Sequence, residues 1–343
     1  MGVKNKIQLH GMKSGARHPP NPSTAERDRA LLLEIADHDL PPLLAEVVDE
    51  YQELPYARPP FMWKWVHKLA PRNTLPCVDS RYSDDVPLDK TLTILFVTLL
   101  DDILEKGGDS ATFQAATRIP YEDDITTFPA QVDEEYVRFT RRVWELLIDR
   151  IQRGPAFDTY APLFHYDIGQ AINAIEYTDL VNRRPELATM ADLERYESHN
   201  MVMFGYADID LMHSTTGIGN DHSTLRTAIW HAQLMARIGN WVSTWERELR
   251  EGDISAGVVV YALENDVISQ SDVRALRNGQ LEADALIERI KAREVEAEFL
   301  TRWDEQYQKL WEVNDELTTM DLTPFIKGME EVLRYHLAST GLK

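Results

Sequence analysis

Along most of the chain, apolar residues recur every three to four positions, the period of an amphipathic helix, and strand-like alternation is scarce. The segment TLTILFVTLLDDILEK (91–106) is apolar nearly all round and then turns abruptly acidic. That pattern predicts a buried helix that ends at a polar site. EEYVRFTRRVWELLIDRIQ (134–152) carries an apolar stripe at Tyr136, Phe139, Val143, Leu146, Leu147 and Ile151. Further helices are predicted over 162–181, 222–249, 255–266, 282–314 and 323–338, and one over 191–213 that is interrupted near His199–Gly205. GVVVY within 255–266 is the only β-branched cluster, and it is short. Gly and Pro cluster at the breaks, and neither an internal repeat nor a dividing linker is visible. The expectation is an all-α, single-domain bundle of about ten helices.

Length alone, 343 residues, allows two domains or one large one. Hydrophobic residues make up 43%, with 8 Trp, 13 Tyr and 10 Phe, enough to build a sizeable core. Against 36 Lys and Arg stand 57 Asp and Glu, a net charge of −21. Such a balance argues against nucleic acid, where affinity comes largely from neutralising phosphates, and against an anionic membrane surface. No window reaches the length of a transmembrane helix, and the N-terminal residues lack the apolar stretch of a secretory signal. Cys77 stands alone, which rules out an internal disulfide and fits a reducing, cytoplasmic setting. Neither CxxC nor HExxH occurs, so a Cys- or His-built zinc site has no support. Residues 1–30 are polar and carry six basic side chains against two acidic, a net of +4, which leaves −25 on the rest. They read as a flexible basic tail preceding a domain over 31–343, or as a lid over an anionic ligand.

Two acidic constellations carry the chemistry. Asp101, Asp102 and Glu105 follow the apolar run LFVTLL, and at helical pitch Asp101 and Glu105 stand only about 40° apart. Like charges so close are costly unless water or a cation compensates them. Hard oxygen ligands in this arrangement suit Mg²⁺, which takes one or two carboxylates plus phosphate oxygens; a solvated helix end has the same pattern. Asn240, Thr244 and Glu248 step by four, so an amide oxygen, a hydroxyl and a carboxylate share a stripe about 80° wide. Ile238, Trp241, Val242 and Trp245 flank it. The stripe is either an all-oxygen chelate for a hard cation or ordinary polar helix surface.

Together the two constellations resemble the metal-binding motifs of class I terpene synthases of the microbial type: an aspartate-rich DDxxD/E motif, and an (N/D)-D-(L/I/V)-x-(S/T)-x3-E motif. Asp101, Asp102 and Glu105 match the first; Asn240, Thr244 and Glu248 match the second, 139 residues beyond Asp101. Trp241 stands where the family usually has a second, non-ligating Asp. The resemblance, which covers roughly residues 60–340, implies roles for several further residues. Arg247 matches the family's diphosphate-contacting Lys or Arg. Arg195, 45 residues before Asn240, would be the diphosphate sensor, Ser198 the linker and His199 the effector at a helix break. Arg334 and Tyr335 would be the C-terminal Arg-Tyr pair that reaches the diphosphate on closure.

By the same resemblance the fold is the class I terpenoid synthase helical bundle with a central cavity, and three Mg²⁺ ions are expected. The reaction is ionisation of a linear prenyl diphosphate, farnesyl or geranylgeranyl, and cyclisation to a hydrocarbon or alcohol. Cation chemistry needs an aromatic-lined, water-free pocket. Candidates are Trp63, Trp65, Phe204, Tyr206, Trp303, Tyr307, Trp311 and, foremost, Phe96, about one and a half turns before Asp101. A homodimer is compatible with the family. The alternatives are a class I enzyme acting on a pre-cyclised diterpenyl diphosphate, a chain-elongating prenyltransferase, and a non-enzymatic helical interaction protein.

Overall fold

A computed structural model describes residues 22–122 and 128–342. Fifteen α-helices follow one another: α1 Pro22–Ala36, α2 Pro42–Tyr51, α3 Pro60–Leu69, α4 Asp85–Glu105, α5 Ser110–Ala116, α6 Glu134–Ile151, α7 Phe157–Arg183, α8 Met190–Arg195, α9 Met203–Met212, α10 His222–Glu251, α11 Gly257–Glu264, α12 Gln270–Arg277, α13 Ala283–Ala292, α14 Val295–Asn314 and α15 Thr323–Ala338. Among the described residues the only β pairing is an isolated antiparallel bridge between Val78 and Ser214. The expected all-α single domain is what forms, with more and shorter helices than predicted.

Several boundaries have a local cause. Asp133 accepts a hydrogen bond from the Tyr136 amide and caps α6; Ser269 and Asp272 close a reciprocal capping box on α12. Gly252, at φ 89°, ends α10 in the left-handed region that glycine adopts without strain. The GVVVY cluster is helical, as α11, with Val258, Val259 and Val260 fully buried. Burial on several sides overrides the modest helical penalty of β-branched residues. The run 282–314 divides into α13 and α14 at Glu294, which adopts φ 54°. Helix α1 starts inside the stretch read as the 1–30 tail and packs on α3 and α15; residues 1–21 lie outside the described residues.

Two helices organise the molecule. α4 packs against α3, α6, α7 and α9 and is buried along nearly its whole length. α10 packs against α9, α11, α14 and α15. Around α4 one apolar core forms with α6 and α7; around α10 a second forms with α11 and α14. Between them lies a cavity bounded by α3, α4, α7, α9, α10 and α15. No helix among the described residues is long and apolar enough to cross a membrane.

Candidate active site

The C-terminal end of α4 brings Asp101, Asp102 and Glu105 together, each offering an oxygen within 4.8 Å of the others. Three oxygen donors at this spacing can hold one divalent cation. Opposite them, α10 turns Asn240, Thr244 and Glu248 toward the same cavity, which Asp101 and Glu105 also line. The helical step of four places the three α10 side chains on one face. Asn240 Oδ1 accepts a 2.8 Å hydrogen bond from Arg237, and Thr244 Oγ1 donates 2.9 Å to the Asn240 carbonyl. Trp241, one residue round the helix, points into the core instead. It meets Phe299 edge-on, and its indole lies against Gly257, where a Cβ would come within 2.7 Å of the ring. An apolar residue at 241 therefore fits its surroundings.

The acidic end carries strong electrostatic tension. Burial pushes the Asp101 carboxyl up to about 6, with Arg58 opposing and Asp102 adding to the rise. Burial and Asp101 hold Glu105 well above the usual carboxylate range. Across the cavity, burial and Asp253 push Glu248 up to about 7, against the pull of Arg237 and Arg247. The chain thus presents three carboxylates that are reluctant to ionise without a cation beside them.

Several functional groups here escaped the sequence reading. Arg58, on the loop between α2 and α3, sits directly on the triad. Its Nη2 is 3.0 Å from Asp101, 2.7 Å from Asp102 and 3.7 Å from Glu105. Burial works against its charge, but Asp102, Asp101 and Glu105 outweigh it and raise its pKa. Asp102 is 1% exposed and is engaged on all sides, by Arg58, by Lys106 at 3.1 Å and by the Tyr51 hydroxyl at 3.1 Å. Arg237 joins α10 to the helix break through a buried ion pair with Glu197. Asp253, in the turn after α10, lines the cavity beside Glu248. Arg58 meets Asp101, and Arg237 meets Glu197, across 40 or more positions, so no local motif announces those pairs.

The remaining predicted residues divide. Arg247 lines the cavity; its Nη atoms bond Glu248 and Glu251, while its buried Nε–H finds no acceptor among the described residues. The helix break forms where expected. A 3-10 turn, Glu197–Met201, leads to Val202 at φ 55°, a conformation that β-branched residues rarely adopt. Asn200 and Met201 from this break line the cavity. Arg195, Ser198 and His199 do not: Arg195 is exposed against the Tyr196 ring, Ser198 donates to the Glu194 carbonyl, and His199 stacks on Phe204. Arg334 is exposed and pairs with Glu330. Tyr335 is buried and donates to Glu34 of α1 at 2.8 Å. Phe96 is fully buried against Trp144, on the far side of α4 from the cavity. Five residues advance a helix by about 140° beyond a full turn, so Phe96 cannot share a face with Asp101, whereas Ile94, Val97 and Thr98 do. Of the aromatic candidates, Trp65 and Tyr206 line the cavity; Trp63 packs on Tyr51, and Trp303, Tyr307 and Trp311 form a cluster along α14.

Met62, Trp65, Val66 and Leu69 of α3, Ile94 and Val97 of α4, Met203 and Tyr206 of α9, Ala236 of α10 and Val332 of α15 give the wall its apolar part, and Asn73, Thr178, Ser255 and His336 interrupt it. The enclosed space is about 170 Å³, below the roughly 300–1,000 Å³ of ordinary ligand sites. This chain matches no protein-family model and no curated protein. Fold and site geometry together are those of an all-α protein with a buried acidic triad able to hold a divalent cation, consistent with a metal-dependent enzyme acting on a small ligand.

Proposed function

We propose that this protein is a class I terpene synthase that ionises a linear prenyl diphosphate, farnesyl or geranylgeranyl, and cyclises the resulting allylic cation. One observation carries the reading. The two oxygen-rich motifs, on α4 and α10, line a single cavity to which α3, α4, α9 and α15 add a patch of apolar and aromatic side chains. Such a polarity division suits a substrate with an anionic head and a hydrocarbon tail.

The donor set fits divalent cations: Asp101, Glu105 and Glu248 supply carboxylates, Asn240 an amide oxygen and Thr244 a hydroxyl, with no soft ligand among them. Mg²⁺ bound there supplies Lewis-acid stabilisation of the departing diphosphate. Around it the chain does the rest. Arg247 offers an unengaged, buried Nε–H for a diphosphate oxygen, a charge-assisted bond worth more than a neutral one. Trp65 and Tyr206 present aromatic rings to the hydrocarbon, and ring faces attract cations. The apolar wall excludes water, which would quench the cation. Asp102 orients Arg58 and leaves Asp101 and Glu105 as the ligands of the triad. The cavity must enlarge to admit the tail, since about 170 Å³ is too small for a ligand of this size.

The test is incubation of the full chain with geranyl, farnesyl and geranylgeranyl diphosphates and Mg²⁺, with products read by gas chromatography–mass spectrometry. A cyclised hydrocarbon or alcohol from one of them, absent under EDTA, is expected. No Mg²⁺-dependent turnover of any of the three by folded protein would reject the reading.

A further inference from the structure

A cation already occupies the triad, and it belongs to the chain. Arg58 reaches all three carboxylates with one guanidinium, at 3.0, 2.7 and 3.7 Å, and its Nε donates to both Asp102 oxygens at 2.9 and 3.2 Å. Its backbone is fixed. The Arg58 amide donates to the Tyr51 hydroxyl at 2.9 Å, and its carbonyl accepts from Gln52 at 3.0 Å. Only the end of the side chain is free to turn, and it borders the cavity.

A guanidinium and a divalent ion repel each other and need the same oxygens, so they cannot share Asp101 and Glu105. Asp102 is different. Lys106 and Tyr51 hold it in place and it keeps the Arg58 Nε, so the arginine is tethered there while its Nη2 moves. We propose that Arg58 serves as the triad's built-in counter-cation, yields Asp101 and Glu105 to a divalent metal, and turns its freed Nη2 to the diphosphate. The proposal rests on the terpene synthase reading of this site.

Metal alone must take Asp101 and Glu105 from Arg58 without bringing it an anion in exchange, so it binds weakly. Metal with diphosphate gives the displaced group a partner. Binding of the two is therefore cooperative, and by linkage each strengthens the other by the same factor. The arrangement also keeps the crowded carboxylates neutralised between turnovers.

Mn²⁺ titration followed by electron paramagnetic resonance, with and without inorganic diphosphate, tests this on the full chain. Wild type is expected to bind Mn²⁺ weakly alone and at least about tenfold tighter with diphosphate. Arg58→Gln is expected to bind Mn²⁺ alone about tenfold tighter than wild type, because a competing charge is gone, and to lose most of the diphosphate enhancement. Arg58→Lys, with the charge but without the fork, is expected to keep the competition and show a reduced enhancement. If Arg58→Gln does not fold by circular dichroism, the lysine variant decides. An enhancement equal to wild type in the folded variant overturns the proposal. If wild type binds Mn²⁺ and diphosphate together and Arg58→Gln behaves identically, only the role of Arg58 falls. If wild type binds neither, the reading of the site falls with it.

Discussion

Among single residues, Glu248 and Asp101 carry the clearest pH signature. Burial comes first in raising Glu248 to about 7 and Asp101 to about 6, so both hold protons in the native state over a range where the unfolded chain has lost them. Their contribution to stability is therefore present below the unfolded carboxylate value and declines as pH rises from about 4 through 7. Metal ligation needs the ionised forms, so metal affinity moves the opposite way. Mn²⁺ affinity, read by the same resonance titration, is expected to rise about tenfold or more between pH 5.5 and 7.5. Thermal unfolding of metal-free Glu248→Gln is expected to lose part of the wild-type pH slope over that interval. Residue-level legibility followed sequence distance. Asp101, Asp102 and Glu105, like Asn240, Thr244 and Glu248, were legible because their spacing is local and helical pitch does the rest. Arg58 was not, since it meets its carboxylates from 43 and more positions away. Phe96 is near Asp101 along α4, but its direction round the helix sends it into the core shared with α6 and α7, away from the cavity.

Between elements, the firmest polar tie is Lys90 of α4 with Asp210 of α9, both fully buried and 2.7 Å apart. Lys90 also donates to the Asn73 carbonyl at 2.8 Å and to Thr74 at 3.1 Å, and Asp210 accepts from the Leu75 amide at 2.8 Å. The pair thereby fixes the stretch after α3 against two walls of the cavity, with the Tyr206 ring 5.1 Å from the ammonium. Lys90→Met or Asp210→Leu alone is expected to cost about 3–5 kcal/mol in denaturant unfolding, because a buried charge is left uncompensated. The double variant is expected to recover most of that loss, and additive losses would show that the two groups act independently. Nothing in the sequence around Lys90 marked it, as a lysine within a hydrophobic helix reads as a surface position until its partner is known. Helix existence was legible where the apolar period is repeated over many turns, whereas the short helices α2, α3, α5 and α12 carry too few turns to show it. The division at Glu294 was not: a left-handed glutamate within a charged run carries no glycine or proline signal.

Across the whole molecule, a charge of −21 says less about ligands than the placement of a few carboxylates does. The cavity is the seam between two cores, one organised by α4 and one by α10, and the proposed metals would join the two. Mg²⁺ together with inorganic diphosphate is accordingly expected to raise the thermal midpoint by several degrees, and either one alone by much less. Equal shifts from Mg²⁺ alone would argue that the α4 triad binds metal without the opposite wall. The all-α architecture was legible from periodicity, whereas the small size of the cavity depends on side chains contributed by six helices and has no local signature. The contact between Trp241 and Gly257 bears on how such a chain can change over generations. The indole fills the space that any side chain at 257 would need. A lineage that enlarges 257 must first shrink 241, and one that acquires the tryptophan must already carry the glycine. The two positions are bound to an order of substitution: residue 257 can gain a side chain only after residue 241 has become smaller.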